Sequence, residues 1–311
     1  MELYRMRGDM LPKIHFVDEA VMGASWRHRK RKDLEYIMYV AKHGEMYLEE
    51  DGVPLCLKAG DMCILDKDRT HVGVRPSECE YYYVHFMHDD FRLLRFADDR
   101  EAVRLLSKSR EDALNSDIFS YDQCENSPVY LPRHCHIGSK AVRFKVEELL
   151  QMAMQENYKS VENYKVMCAC YVQQAFMEIS RCFLDEAGES QRSGRPVYYE
   201  MVGKMVEWLN QNYGKEVASP FLEELFGHNF DYMNRVFKKV NGKTVFQYLT
   251  QVRIHHAKLL LCNTSMKIGE IGKRVGFPDE YYFSRVFKKY TGISPAAFAR
   301  SGQGGEKENF I

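Results

Sequence analysis

The sequence predicts an α+β chain, with an N-terminal β-barrel, a helical segment, and an all-α C-terminal part containing two helix-turn-helix units. Three observations predict it. Short β-rich runs separated by turn residues fill roughly the first hundred positions. A stretch without Pro or Gly follows at 139–186, with apolar residues recurring at three and four. Finally, the pentapeptide Arg-Val-Phe-Lys-Lys occurs at 235–239 and again at 285–289, an offset of 50 residues.

The β-rich runs are LEYIMYVA (34–41), EMYLEED (45–51), PLCLK (54–58), MCILD (62–66) and EYYYVHF (80–86), rich in β-branched, aromatic and aliphatic residues. Turns are expected at His43-Gly44, Asp51-Gly52, Ala59-Gly60-Asp61 and Arg75-Pro76-Ser77. Many short strands at this spacing suit a barrel or sandwich. Behind them, Val142, Val146, Leu149 and Leu150 begin a helical pattern that continues through Tyr171, Phe176 and Ile179. The apolar positions there, including Met152, Met167, Cys170 and Phe176, are too numerous for an exposed linker. Packing on the barrel and homodimerisation are therefore expected of this region. The polar, Gly- and Ser-bearing EAGESQRSGRP reads as a linker. The domains expected are thus 1–135 (sensing), 136–186 (helical packing and dimerisation), 187–196 (linker), 197–300 (DNA-binding) and 301–311 (a frayed tail).

Composition narrows the function. Of 311 residues, 45% are hydrophobic and 28% charged, the balance of a soluble globular protein. No apolar run approaches the roughly 18 residues of a membrane helix. MELYRMRGDM lacks the apolar core of a secretory signal, and nine Cys show no regular framework, so a reducing cytoplasm is expected. The net charge of zero hides an asymmetry, because residues 197–300 carry 15 Lys and Arg against 9 Asp and Glu. A basic part joined to an acidic one points to a nucleic-acid partner.

The repeated cassette has a physical reading. As helices, Met233, Val236, Phe237 and Val240 form one apolar stripe, and Phe283, Val286, Phe287 and Tyr290 form another. The opposite faces present Asp231, Asn234, Arg235 and Lys238, and Tyr281, Ser284, Arg285 and Lys288. Asn229 and Asp279 stand where N-caps belong and are also candidate DNA contacts, and Gly242 and Gly292 stand where left-handed stops belong. Upstream, Ser219-Pro220 is read as an N-cap and first-turn Pro opening a shorter helix, and KIGEIGKRVGF supplies its counterpart with Gly276 at the turn. Each unit is then a short helix, a tight turn and a longer helix suited to the major groove of double-stranded DNA. Residues near the N-terminus of the longer helix would meet base edges, while Lys238, Lys239, Lys288 and Lys289 would hold phosphates. A solenoid would want three or more repeats. Between the units, Phe246, Leu249, Val252 and Leu260 are expected on one side of a spacer helix, which would set the reading heads roughly 34 Å apart, one turn of DNA.

The stretch FQYLTQVRIHHAKLLLCNTSMKIGEIGKRVGFPDEYYFSRVFKKYTGISPAAFAR resembles the signature region of AraC-type (AraC/XylS) transcriptional regulators. Arg253, Ala257, Leu260, Ile268, Ile271, Gly276-Phe277, Tyr282-Phe283, Arg285, Phe287-Lys288-Lys289, Gly292 and Pro295 carry the resemblance. It implies a regulator, not an enzyme, whose outward positions on both longer helices read DNA, and which engages RNA polymerase if it is an activator. One departure is that Gly272 stands where the family usually has Ala, with Leu222 at the equivalent place in the first unit.

Many such proteins carry a cupin-like sensor barrel ahead of this region, and residues 34–86 resemble one. That resemblance implies a small-molecule effector, such as a sugar, with Trp26, Arg29, Tyr39, His71, Tyr82 and His85 as candidate contacts. The alternative is a metal-dependent cupin enzyme with an appended helical domain. Cupin enzymes use an HxH pair on the barrel, which is missing here. His134-Cys135-His136, with Cys124 nearby, is placed by sequence in a connecting segment, where adjacent ligands would point apart. No metal and no cofactor are therefore expected. Gly242-Lys243-Thr244 imitates the end of a phosphate loop, but Phe237 occupies the position of the required Gly.

Overall fold

The computed structural model of the chain describes residues 1–116, 127–159, 161–189 and 197–303. Cys124, the linker from 190 onward and the tail from 304 lie outside the described residues. Contacts divide the chain into two compact units, one from within 1–107 and 122–191, the other from within 108–121 and 192–311.

The first unit is built on β4 (Tyr36–Glu50), a strand of 15 residues that serves two sets of partners. Its first half lies between β6 (Asp61–Leu65) and β8 (Cys79–Met87), and β8 pairs in turn with β2 (Lys13–Met22). Its second half lies between β5 (Val53–Lys58) and β7 (Thr70–Gly73), with the two-residue β3 (Arg31–Lys32) beyond β7. β11 (His134–His136) extends the sheet from β6. A separate three-stranded sheet has the order β10 (Pro128–Pro132), β1 (Glu2–Arg7), β9 (Arg92–Arg95). Every pairing is antiparallel. Among the described residues the pairings trace two sheets and do not close into a ring.

The turn expected at His43-Gly44 is instead a bend within β4. Register against β8 slips between Ala41 and His43, and Gly44 adopts φ +71°. A Cβ there would fall 2.1 Å from the Glu78 carbonyl oxygen, so the residue must lack one. The extra residue bends the strand, as bulges do, and lets one strand join two partner sets. The expected Asp51-Gly52 turn is present, with φ values of 46° and 85° closing the β4–β5 hairpin. His134-Cys135-His136 is a strand and not a connecting segment, which corrects the sequence reading. Both His turn to the Asp61 side and Cys135 packs toward the core, as alternation on a strand dictates.

The large sheet is buried on both faces. Met38, Val40, Met62, Ile64, Tyr82, Val84 and Phe86 face one core. Ile37, Tyr39, Ala41, Cys63, Leu65, Cys79 and Tyr81 face another. The first core is completed by α2 (Lys140–Lys159) and α3 (Tyr164–Glu189), through Val146, Leu149, Leu150 and Ala153 and through Val172, Ala175, Phe176 and Ile179. α3 therefore continues past 186, where the linker was expected to begin. Phe144, Val166 and Met167 remain exposed. A helix absent from the sequence reading, α1 (Asp99–Asn115), buries Ala102 and Leu106 against Leu3 and Tyr130.

The second unit contains α4 (Val197–Asn212), α5 (Ser219–Phe226), α6 (Phe230–Asn241), α7 (Val245–Asn263), α8 (Ile268–Arg274), α9 (Glu280–Thr291) and α10 (Pro295–Gln303). The N-cap of α5 is Ala218, so Ser219 and Pro220 occupy its first turn, one position later than expected. One core gathers α4, α5, α6 and the first half of α7; the other gathers the second half of α7 with α8, α9 and α10. The apolar stripe expected on α7 is thus two stripes. Val245, Tyr248, Leu249 and Val252 serve the first core, and Ile254, Ala257 and Leu261 the second, while Phe246 is 38% exposed. Stepping two residues from Val252 to Ile254 turns about 200° at 3.6 residues per turn, so the stripes lie on nearly opposite faces. Gly272 is buried under Phe283, whose ring atoms would lie 3.0 Å from an added Cβ, whereas Leu222 fills the first core.

The bend in β4 gives a stability test. Gly44→Ala is expected to lower the stability of the N-terminal unit by at least about 2 kcal/mol, through backbone overlap and strain together. Gly52→Ala, also at positive φ but facing open space, should cost only about 1 kcal/mol. Denaturant midpoints of the two variants should differ accordingly, and equal losses would contradict the role given to Gly44.

Candidate nucleic-acid interface and the His-Tyr cluster

α6 and α9 match part for part. Each has 12 residues. The Asn229 side chain accepts from the Asp231 and Tyr232 amides, and the Asp279 side chain accepts from the Tyr282 amide at 2.7 Å. Each ends at a left-handed Gly, at φ 74° and 82°, whose N–H donates to the Lys238 or Lys288 carbonyl. Met233, Val236, Phe237 and Val240 are buried in one, Phe283 and Phe287 in the other, with Val286 half-buried and Tyr290 43% exposed.

The outward groups also correspond. Asp231, Arg235, Lys238 and Lys239 are exposed on α6, as are Tyr281, Arg285, Lys288 and Lys289 on α9. Arg235 lies over the Tyr232 ring at 5.8 Å, and Arg285 over the Tyr282 ring at 5.6 Å. These cation–π contacts, three residues back along each helix, hold both guanidinium groups in similar directions. The Tyr partners were missed in the sequence, although both flank the repeated cassette at the same offset. Two candidates differ from the others. Asn234 is half-buried, and its side-chain oxygen accepts from the Val245 amide at 3.0 Å, tying α6 to α7. Ser284 is also half-buried.

The candidate effector residues do not form one group. Tyr39, His71 and His85 lie together on the second face of the large sheet, with Trp26 beside them. Tyr82 faces the opposite core, under the Lys42 ammonium, because adjacent residues on a strand point to opposite faces. The Arg29 side chain is exposed, and its carbonyl lies 2.8 Å from His28 Nδ1. The neighbours of Tyr39 are instead His28, Arg31, Tyr81 and Tyr83. His28 Nε2 lies 3.0 Å from the Tyr39 hydroxyl, and Arg31 donates to His71 Nε2 at 3.0 Å and to the Tyr39 hydroxyl at 3.3 Å. Glu35 Oε1 meets both His85 and His15 at 2.9 Å. Alternation from Tyr39 and His85 could have identified Tyr81 and Tyr83; Arg31 is brought in by its pairing with His71 across β3 and β7.

Burial pushes His28 and His85 below the ordinary imidazole range, and His71, 1% exposed, down to about 3. Neutral rings at pH 7 leave these sites as hydrogen-bonding groups and not as charges. The His71 Nδ1 atom is buried without a hydrogen-bond partner. Elsewhere, His134 and His136 approach Asp61 at 3.9 and 2.8 Å. Among the described residues no group of three or more His, Cys, Asp or Glu is arranged to hold a metal ion. Among the same residues, no helix is long and apolar enough to cross a membrane.

Residues 224–301 match the family described as helix-turn-helix domain. Over 286 residues the chain is 25% identical to the uncharacterized HTH-type transcriptional regulator YisR of Bacillus subtilis, covering 91% of each chain. It is 44% identical over 113 residues to the uncharacterized transcriptional regulatory protein YesN of Bacillus subtilis, covering 34% of this chain and 29% of YesN. It is 47% identical over 66 residues to the arabinose operon regulatory protein of Escherichia coli, covering 21% of this chain and 23% of that protein. The last two matches span less than a third of those proteins. Together these likenesses place a helix-turn-helix domain at residues 224–301, and the relatives they name are regulatory proteins.

The buried imidazoles generate a pH test. The unfolded chain takes up a proton near the ordinary His value of 6.5, whereas folded His71 resists until about 3. Acid therefore favours the unfolded state. Stability from this group is complete above about pH 6.5 and is lost progressively toward pH 3. His71→Asn should flatten the decline of melting temperature between pH 6.5 and 4 relative to the parent, and an unchanged decline would contradict the assignment.

Proposed function

We propose that the chain is a ligand-responsive transcription regulator that binds double-stranded DNA through two helix-turn-helix units, α5–α6 and α8–α9. The observation that carries this reading is the correspondence of α6 and α9 in cap, stripe, stop and outward Tyr-Arg-Lys-Lys set, 50 residues apart. An exposed Arg beside an aromatic ring suits a bidentate contact to guanine, and the flanking Lys pairs suit phosphates. Asn229 and Asp279 then act mainly as caps, and Asn234 as a brace, which moves base reading toward Asp231, Arg235, Tyr281 and Arg285. Ser284 lies at the edge of the second reading face.

The N-terminal unit is proposed to be a cupin-like sensor for a small polar molecule such as a sugar. Aromatic rings from Trp26, Tyr39, Tyr81 and Tyr83 stand beside Arg31, His71 and His85, a mixture of apolar faces, donors and acceptors that suits a hydroxylated ligand. A ligand would act by binding one arrangement of the protein more tightly than another. The exposed Phe144, Val166 and Met167 favour a homodimer through α2 and α3, and RNA polymerase is a partner if the protein activates.

Base-reading and phosphate-holding roles separate in a binding experiment on duplexes selected by the parent protein. Arg235→Ala should weaken the selected duplex by about 1–3 kcal/mol and relax preference at one base pair. Lys238→Ala should weaken all duplexes alike and reduce the salt slope by about 0.9. Uniform weakening by Arg235→Ala would reduce that residue to a phosphate anchor. Binding unaffected by both changes would remove α6 from the interface.

A further inference from the structure

We propose that the short segment Tyr213–Lys215, gripped by Arg253 of the central helix against the turn of the second helix pair, fixes the rotation between the two recognition helices. It thereby sets the half-site spacing that the protein accepts. This inference rests on the DNA-binding reading above and adds a positioning role that none of the base-facing residues performs.

Three elements meet at this point. The segment leaves the end of α4, which belongs to the first core. Arg253, in the middle of α7, donates from Nε to the Tyr213 carbonyl and from Nη2 to the Lys215 carbonyl, both at 2.8 Å. The His256 ring, three residues on, stacks on Tyr213 with centroids 3.8 Å apart and planes within 4°. From the second helix pair, the Phe277 ring lies under the Arg253 guanidinium at 5.7 Å. Gly276 approaches so closely that a Cβ would fall 2.7 Å from the Tyr213 carbonyl oxygen and 2.8 Å from Arg253 Nη2. Gly214 is equally close, with a Cβ position 2.8 Å from the Arg274 carbonyl oxygen. Tyr213 packs against both cores of the unit.

The geometry explains why such a tie matters. The two cores lie on nearly opposite faces of α7, so the helix sets their separation along its axis. A contact away from the helix axis, as Arg253 makes to the Tyr213 and Lys215 carbonyls, adds leverage against rotation of one core about that axis. Guanidinium bonds to two carbonyls just beyond a helix C-terminus are charge-assisted and lie where the helix dipole favours a cation. Two recognition helices held at one rotation can enter adjacent major-groove segments only when the half-sites are correctly phased. Each added base pair turns the second half-site by roughly 34–36°, given 10–10.5 base pairs per turn.

The test uses the full chain and a duplex enriched from a random-sequence pool by the parent protein, together with versions carrying one inserted or one deleted base pair between the half-sites. The parent should bind the altered duplexes roughly 100-fold more weakly, since the DNA must be deformed to restore phase. Arg253→Met keeps the stem and removes the guanidinium. It should reduce that discrimination to roughly tenfold or less while changing binding to an isolated half-site by no more than about twofold. Arg253→Lys, which cannot bridge both carbonyls with a planar fork, should fall between the two. Gly214→Ala, which pushes the segment off the Arg274 carbonyl, provides an independent disturbance should Arg253→Met fold poorly by circular dichroism. Retention of parental discrimination by folded Arg253→Met, or by folded Gly214→Ala in its place, overturns the proposal while leaving DNA binding intact. A parent protein that enriches no duplex overturns the DNA-binding reading itself.

Discussion

The C-terminal unit depends on one division of labour within α7. Val245, Tyr248, Leu249 and Val252 turn to one core, and Ile254, Ala257 and Leu261 turn to the other. At 19 residues and 1.5 Å per residue, the helix is about 28 Å long, comparable with one turn of DNA. Its start is secured by a reciprocal capping box between Thr244 and Gln247 and by the Asn234 side chain on the Val245 amide. The orientation of α6 is therefore coupled to α7 at the first turn. The coupling of α9 comes through Phe283 and Phe287, which pack with Ala257 and Leu261 in the second core. Two small helical cores share this one long element, and each draws part of its buried surface from it.

Within α6 and α9, the repeated pentapeptide does several jobs at once. Val236 and Phe237 are scaffold, as are Val286 and Phe287, while the Arg is left exposed and leans over a Tyr. The identity of the two cassettes is thus chiefly a requirement of packing. Differences between the helices precede them, at Asp231 against Tyr281 and Asn234 against Ser284. Since Asn234 is committed to bracing α7, Asp231 and Tyr281 are the more telling contrast in surface chemistry. An acidic group disfavours phosphate and can accept from cytosine N4, whereas an exposed Tyr offers a ring and a hydroxyl.

Much of the C-terminal unit was legible in the sequence because its rules are local. Caps, left-handed Gly stops and 3.6-residue stripes depend on residues within a few positions of one another. The α7 stripe was misread because a helix facing two cores violates the assumption of a single buried face. Strand alternation explains the partial reading of the N-terminal unit. His71, His85, Tyr39 and Trp26 do gather, but Tyr82 alternates to the opposite core and Arg29 points to solvent. Arg31 was not legible because its place follows from antiparallel register between distant strands. Nor was the unbroken β4, since His43-Gly44 has turn chemistry and only the nearby Glu78 carbonyl shows why Gly is needed there. Helix α1 was missed because its polar sequence buries little more than Ala102 and Leu106.

α6 and α9 are proposed to enter adjacent major-groove segments on one face of DNA. Methylation interference at guanine N7, on a duplex selected by the full chain, tests this most directly. Two clusters of interfering guanines should be found, centred roughly 10 base pairs apart. A single cluster, or interference confined to the minor groove at adenine N3, would contradict it.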